Sequence, residues 1–289
     1  MRIKDRILNI SEEIVLKELS AIVAENRLRV FPKYRLSDVI ENDDSYLDRD
    51  LFSYYTRSHF DFVVTTPEAK PFMAIEYDGP FHSGAEQVAR DAKKHFLCKE
   101  AGLPILRINA NHVLRKYRGM TLLRWIIEVI QLQKSFDEAQ EKGEVPFDEP
   151  FDPMMIMSDG SGRKWPYWLS ATAMVRINKF VRSEQGTRAW VTLVGEDDDQ
   201  KLHSLEYVLI GDQVLYVRTS ARNQDANIPK FDMIREVTHC EMGEQLASFL
   251  QGEQQLMSIK NFQSIHDKVF KQFKMYLSSS MGSGLELPK

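Results

Sequence analysis

Only two cysteines occur among the 289 residues, Cys98 and Cys240, far apart and neither in a CxxC pair. That excludes a zinc ribbon and argues against a disulfide framework. Cys98, in "HFLCKEAG", reads as a small core residue rather than a reactive thiol. Long apolar runs are missing too: no window approaches the roughly 18 uninterrupted apolar residues of a membrane span. The opening "MRIKDRILNISEE" turns acidic before any long apolar segment, so no signal peptide is expected. A cytoplasmic, intracellular protein with no membrane partner is the expectation. Basic excess is also absent, the formal charge being −4. This counts modestly against a nucleic-acid partner but leaves room for a local basic strip, because counterion release depends on the charges at the interface. No internal repeat is visible.

What is present is the balance of a globular chain with a sizeable core, 43% hydrophobic and 28% charged, long enough for one large domain or two ordinary ones. "SEEIVLKELSAIVAENR" carries Val15, Leu19, Ile22 and Val23 at helical spacing, with Ser11 as N-cap and two acids in the first turn. A short strand is expected around 28–31 before Pro32, then a polar, irregular stretch over 41–57 with room for one helical turn. "HFDFVVTT" and "FMAIEYD" alternate in the manner of strands, and the short "TPEAKP" turn between them predicts an antiparallel hairpin. Pairing brings Asp61 near Glu76 and Asp78 if the register allows it. Residues 84–101 read as a helix with Val88, Ala92 and Phe96 as its buried stripe and Gly102 as its stop. "LPILRI" reads as a buried strand suited to parallel pairing, followed by a long helix over about 119–141.

The acidic, proline-containing "EKGEVPFDEPFDP" (141–153) is the natural boundary, giving a first domain over 1–142 and a linker over 143–164. An α+β region follows over 165–279, then a flexible tail over 280–289. In the second region a helix follows Pro166. "AWVTLVG", "LEYVLIG" and "QVLYVRT" read as three strands, the last two joined by a "GD" hairpin signal. Helices are expected near 241–252 and 260–277. Trp165, Tyr167 and Trp168 form an aromatic cluster suited either to a core or to stacking on bases.

The order helix, strand, two-stranded hairpin, helix, strand, with acids on the first helix (Glu12, Glu13) and on the hairpin (Asp61, Glu76, Asp78), resembles the PD-(D/E)XK nuclease superfamily. More narrowly, "HFDFVV … AIEYDGPFH … RDAKKHFLCKEAGLPILRI" resembles a bacterial group of uncharacterised endonuclease-like domains with an I-E-x-D-G-x-x-H, R-D-x-x-K and G-h-P-h-L-R pattern. It is also similar to the very-short-patch repair endonucleases. The resemblance covers roughly residues 10–115 and implies an α/β protein with a restriction-endonuclease-like αβββαβ core, a mixed sheet flanked by helices. It further implies a Mg²⁺- or Mn²⁺-dependent endonuclease acting on nucleic acid, DNA before RNA, in repair, restriction or defence.

Phosphodiester hydrolysis needs a hard cation with oxygen ligands and a water made nucleophilic near neutral pH. Asp61 and Glu76 are the expected ligands, and the resemblance adds the Tyr77 backbone carbonyl. The superfamily motif ends in a lysine two residues after its acid, where this chain has Asp78. Lys94 of "RDAKK" matches the lysine of the narrower pattern and is the expected replacement. His82 is a candidate base or phosphate ligand, and Glu12, rather than Glu13, fits the first-helix acid. Arg107, Arg115, Lys116 and Arg118 form a candidate phosphate-positioning strip beside His112.

Each residue also has a plainer role: solvated strand acids, a turn histidine, first-turn acids suiting a helix N-terminus, a solvated basic loop, or an Asp91–Lys94 surface pair. The replaced lysine and the negative charge keep a second reading open, an inactive nuclease-like module that binds nucleic acid or a protein. A homodimer or a partner engaged through the C-terminal region is compatible with either.

Overall fold

Asn9, not Ser11, starts the first helix, because its side chain and that of Glu12 cap each other's backbone: Glu12 N–H donates to Asn9 Oδ1 at 2.9 Å and Asn9 N–H to Glu12 Oε2 at 3.0 Å. The helix, α1 (Ile10–Glu25), buries the expected Val15, Leu19, Ile22 and Val23. These features come from a computed structural model that describes residues 3, 5–42, 47–79, 85–152, 168–183, 187–222, 224 and 230–282. The chain is a mixed α/β protein of two units. One comprises residues 1–131 and 224–228, the other 132–223 and 229–289, so the division falls within helix α5 (Leu122–Glu141). No helix among the described residues is long and apolar enough to cross a membrane.

The first unit holds a four-stranded sheet in the order β1 (Arg29–Arg35), β2 (His59–Thr65), β3 (Pro71–Tyr77), β4 (Ile105–Ile108). The β1–β2 and β2–β3 pairs are antiparallel and β3–β4 is parallel, with α3 (Ala85–Glu100) as the crossover. β1 runs on through Pro32 instead of ending before it. It is an edge strand, where a missing N–H on the unpaired side costs no ladder bond. The stretch expected to be irregular contains a helix, α2 (Arg49–Arg57), capped by Asp48 and anchored by buried Tyr55, whose hydroxyl donates to the Ile40 carbonyl at 2.6 Å.

α3 turns a different face inward from the expected one. Val88 and Phe96 are exposed, as is Ala92, while Lys94, Leu97 and Cys98 are buried. Leu97 and Cys98 join Leu36, Ile40, Tyr55, Phe60, Val63, Ala74 and Ile105 in one apolar cluster. Rotating the helix by this much follows from the ion pair made by Lys94, described below. A short helix, α4 (Ala110–Leu114), and a small hairpin, β5 (Lys116–Tyr117) with β6 (Met120–Thr121), precede α5.

In the second unit five antiparallel strands lie in the order β10 (Met257–Ser258), β9 (Gln213–Ala221), β8 (Leu202–Ile210), β7 (Thr187–Glu196), β11 (Lys274–Gly282). Alternation divides the two faces. Val191, Leu193, Leu205, Tyr207 and Leu209 pack with Phe262 and Val269 of α8 (Ile259–Gln272). Trp190, Val208, Leu215 and Val217 pack with Ile177 and Phe180 of α6 (Ala171–Val181) and with Met242 and Leu246 of α7 (Lys230–Leu250). Covered on both faces, β8 is buried from Leu202 through Leu209.

Three boundaries differ from expectation. α7 begins at Lys230 rather than near 241, and α8 stops at Gln272. The chain then forms β11 where helix and tail were expected, since backbone pairing with β7 suffices to hold the serine-rich Ser278–Ser280 in an edge strand. Residues 283–289 of the expected tail lie outside the described residues, as do Trp165 and Tyr167.

α6 and α7 meet at Gly243, where an added Cβ would stand 2.4 Å from Ala173 Cβ and 2.9 Å from its Cα. Arg176 also donates to the Gly243 carbonyl at 2.7 Å. Gly243→Ala therefore forces the helices apart and should destabilise the protein by about 1–3 kcal/mol, read as a lower urea midpoint. An unchanged midpoint would contradict this packing.

Candidate active site

The β2–β3 register pairs Phe62 with Ile75 and Val63 with Ala74. Continued by one residue, it sets Asp61 opposite Glu76. Side chains replace the ladder there: Tyr77 N–H donates to Asp61 Oδ2 at 2.9 Å, and Asp61 N–H reaches Glu76 Oε1 at 3.4 Å. Two carboxylates are thus fixed across from each other at the end of the hairpin. The antiparallel hairpin is the expected one, and its register, which the sequence left open, sets Asp61 opposite Glu76.

Lys94 comes to the same place from α3. Its ammonium lies 2.7 Å from Glu76 Oε2, donates to the His59 carbonyl at 2.9 Å and stands 5.6 Å from the Phe60 ring centroid. Burial pushes the Glu76 carboxyl above its usual range, against the opposing pull of Lys94. Cys98 lies near this pair, and burial pushes its thiol up to about 12, so it stays protonated.

Lys33 is a residue the sequence reading missed. Its ammonium bridges Glu12 Oε1 at 2.5 Å and Asp61 Oδ1 at 2.7 Å. Its backbone is left-handed, φ 54°, and the β1–β2 ladder skips the Lys33–Asp61 position. A lysine in an edge strand after a proline gives no periodic signal. Only the position opposite Asp61 marks it, and that requires the register. Glu12 is buried and joins the cluster, whereas Glu13 is exposed and faces Arg6 at 3.6 Å.

Asp78 is turned to a different partner. Arg107, which the parallel register places beside Glu76, lies 3.3 Å from Asp78 and 3.1 Å from Asp91. Arg107 is therefore enclosed in an ion network, not displayed on a surface strip, and Asp91 pairs with it and with Gln87 (2.9 Å) instead of with Lys94. Arg115, Lys116 and Arg118 lie on the α4–β5–β6 segment. His82 lies outside the described residues.

Two cavities flank the acids. One, of about 1040 Å³, is lined by Glu12, Lys33, Asp61, Tyr77 and Gly79 with residues 6–11. The other, of about 670 Å³, is lined by Tyr54, Arg57, His59, Arg90, Asp91, Lys93 and Lys94 among others. Among the described residues no three His, Cys, Asp or Glu side chains converge as a metal-ligand set. Asp61 and Glu76 are nonetheless hard oxygen donors of the kind Mg²⁺ takes one or two of, with water completing its shell. The Lys33 ammonium already shows that Glu12 and Asp61 together hold a cation.

Residues 4–122 match a family described as protein of unknown function (DUF2726). No curated protein and no solved structure matches the chain.

Two measurements probe this geometry. Lys94→Met strands a buried carboxylate and should cost about 3–5 kcal/mol, part of which returns in the Lys94→Met/Glu76→Gln double variant. Equal stability of wild type and Lys94→Met would show that the pair is not buried. Lys33 is the pH-sensitive member. Burial pulls its pKa down, but hydrogen bonds and charges of Asp61 and Glu12 outweigh this and the net shift is upward. Its stabilising contribution is complete below the unfolded value near 10.5 and is lost as pH rises through the higher folded value. As pH rises above about 10.5 the wild type should lose more stability than Lys33→Met, and parallel losses would remove the assignment.

Proposed function

We propose that the first unit is a metal-dependent nuclease of the PD-(D/E)XK type, cutting phosphodiester bonds of DNA or RNA. The observation that carries this reading is the facing Asp61–Glu76 pair with Lys94 bonded to Glu76. A lysine arriving from the crossover helix supplies the ammonium that the Asp78 substitution removes from the strand. The element order of the first unit, a helix, three antiparallel strands, a crossover helix and a parallel fourth strand, interrupted by α2, supports a restriction-endonuclease-like core.

In this reading Asp61 and Glu76 would hold Mg²⁺ or Mn²⁺, and the Tyr77 carbonyl would add a further oxygen. Such an ion, when bound, would supply charge neutralisation at the phosphate and a water of lowered pKa. Lys94, fixed by Glu76 and the His59 carbonyl, presents a positioned ammonium to the charge that develops as the P–O bond breaks. Arg107 holds Asp78 away from Glu76, which limits carboxylate repulsion at the end of β3. Arg57, Arg90 and Lys93 line the cavity on the Lys94 side, where a polyanion's phosphates would gain from basic groups.

The second reading, a nuclease-like module that binds without cutting, is favoured by one feature: the Lys33 ammonium is seated between Glu12 and Asp61, where a divalent ion would compete with it. Incubation of the purified chain with plasmid DNA and with RNA, with Mg²⁺ or Mn²⁺, separates the two. The expected result is metal-dependent cleavage that falls at least about 100-fold in Asp61→Ala and in Glu76→Ala. Cleavage untouched by both substitutions would overturn the site. Binding without any cleavage would establish the second reading.

A further inference from the structure

The described isoleucines that stay exposed, Ile3, Ile7, Ile10 and Ile14, all fall within the first fourteen residues. Single apolar residues scattered over a surface are ordinary, but a group of them rimmed by polar residues marks an interaction or ligand-binding surface. Two of the four, Ile7 (85% exposed) and Ile10 (66% exposed), line the cavity that also holds Glu12 and Asp61. Leu8, which is partly buried, and Tyr77 line it as well. The capping box between Asn9 and Glu12 ties this stretch to the start of α1, so the apolar wall and the acids keep a set relation.

The basic residues of the lining already have acidic partners. Lys33 lies between Glu12 and Asp61, and Arg6 faces Glu13 at 3.6 Å. This wall therefore suits a ligand gripped through apolar contact more than one gripped through its charge. A double helix turns two phosphate backbones outward and keeps its base faces stacked inside, and its affinity for a protein comes largely from basic contacts. Isoleucines set against such a backbone would strip water from phosphates and gain no contact. A single strand can splay its bases, whose faces are apolar. Isoleucine is among the side chains that enter between bases and hold them unstacked.

We propose that the wall of Ile7, Leu8 and Ile10 takes the unstacked bases of single-stranded DNA, beside the phosphate bound at Asp61. Where that phosphate lies rests on the nuclease reading, whereas the apolar wall does not. DNA is favoured over RNA because a 2′-hydroxyl set against isoleucine would lose its water without gaining a partner. An intact duplex would approach the carboxylates only where its pairing opens.

Fluorescence anisotropy of the full chain tests this with a labelled DNA strand of about 12 nucleotides, the same strand annealed to its complement, and RNA of the same sequence. Ca²⁺ serves as the hard cation for binding, and cleavage of the same three substrates is followed with Mg²⁺ or Mn²⁺. The single DNA strand should bind at least about tenfold more tightly than the duplex or the RNA. The double variant Ile7→Ser/Ile10→Ser should lose about tenfold or more of that affinity. Its thermal melt should not move, since both side chains are exposed, and Ile7→Phe should keep the affinity. Metal-dependent cleavage with the duplex bound as tightly as the single strand, or with single-strand affinity unmoved in the double variant, would overturn the inference and leave the nuclease reading standing. Isoleucine-dependent binding of the single strand without cleavage would uphold the inference and overturn the nuclease reading. RNA bound as tightly as DNA would overturn the choice of DNA, and neither binding nor cleavage would overturn both readings.

Discussion

A lysine and a glutamate withdrawn from water attract each other strongly, but only fixed geometry and extra hydrogen bonds make their burial tolerable. The Lys94–Glu76 pair, 2.7 Å apart with both side chains about nine-tenths enclosed, sets that condition for the first unit. α3 must present Lys94 to the sheet, which turns Val88 and Phe96 to solvent. β2 must begin where the His59 carbonyl can receive the second ammonium proton. β3 must hold the register that sets Asp61 opposite Glu76. Breaking any one of these leaves a charge without its partner in the core.

Around the pair the charges interleave. Glu12, Asp61, Glu76, Asp78 and Asp91 are met by Lys33, Lys94 and Arg107. These five carboxylates and three basic groups lie beside two cavities, one on the Lys33 side and one on the Lys94 side. Such a cluster is neutralised in part by its own lysines and arginine, and the proposed metal would compete with them. This is why the cleaving and the merely binding readings share one geometry and differ only in which cation the carboxylates hold.

Much of this was legible because strand alternation and turn residues are local signals. The hairpin, the parallel fourth strand, the stripe of α1 and the Gly211–Asp212 turn follow from patterns a few residues long. Asp61, Glu76 and Lys94 were legible through residue type and spacing. Elsewhere tertiary contacts overruled the pattern. The stripe of α3 was misread because a lysine counts as polar in any periodicity, although here it is the inward residue. α2 was hidden in a polar stretch because one buried residue, Tyr55, and one cap, Asp48, suffice for it. β11 was hidden because an edge strand paired through its backbone needs little apolar content. Arg107 read as a basic surface residue because its two acids come from β3 and α3, distant in sequence.

The two lysines of the cluster differ in how firmly the fold holds them. Lys94 is tied to Glu76 and to a backbone carbonyl and is almost wholly enclosed. Lys33 is about one-third exposed and sits on an edge strand in a left-handed backbone conformation, a state that costs on the order of 1–3 kcal/mol. On the proposed nuclease reading, a divalent ion held by Asp61 and Glu76 would have to take Asp61 from Lys33, the more exposed ammonium, while Lys94 would stay bonded to Glu76 and the His59 carbonyl.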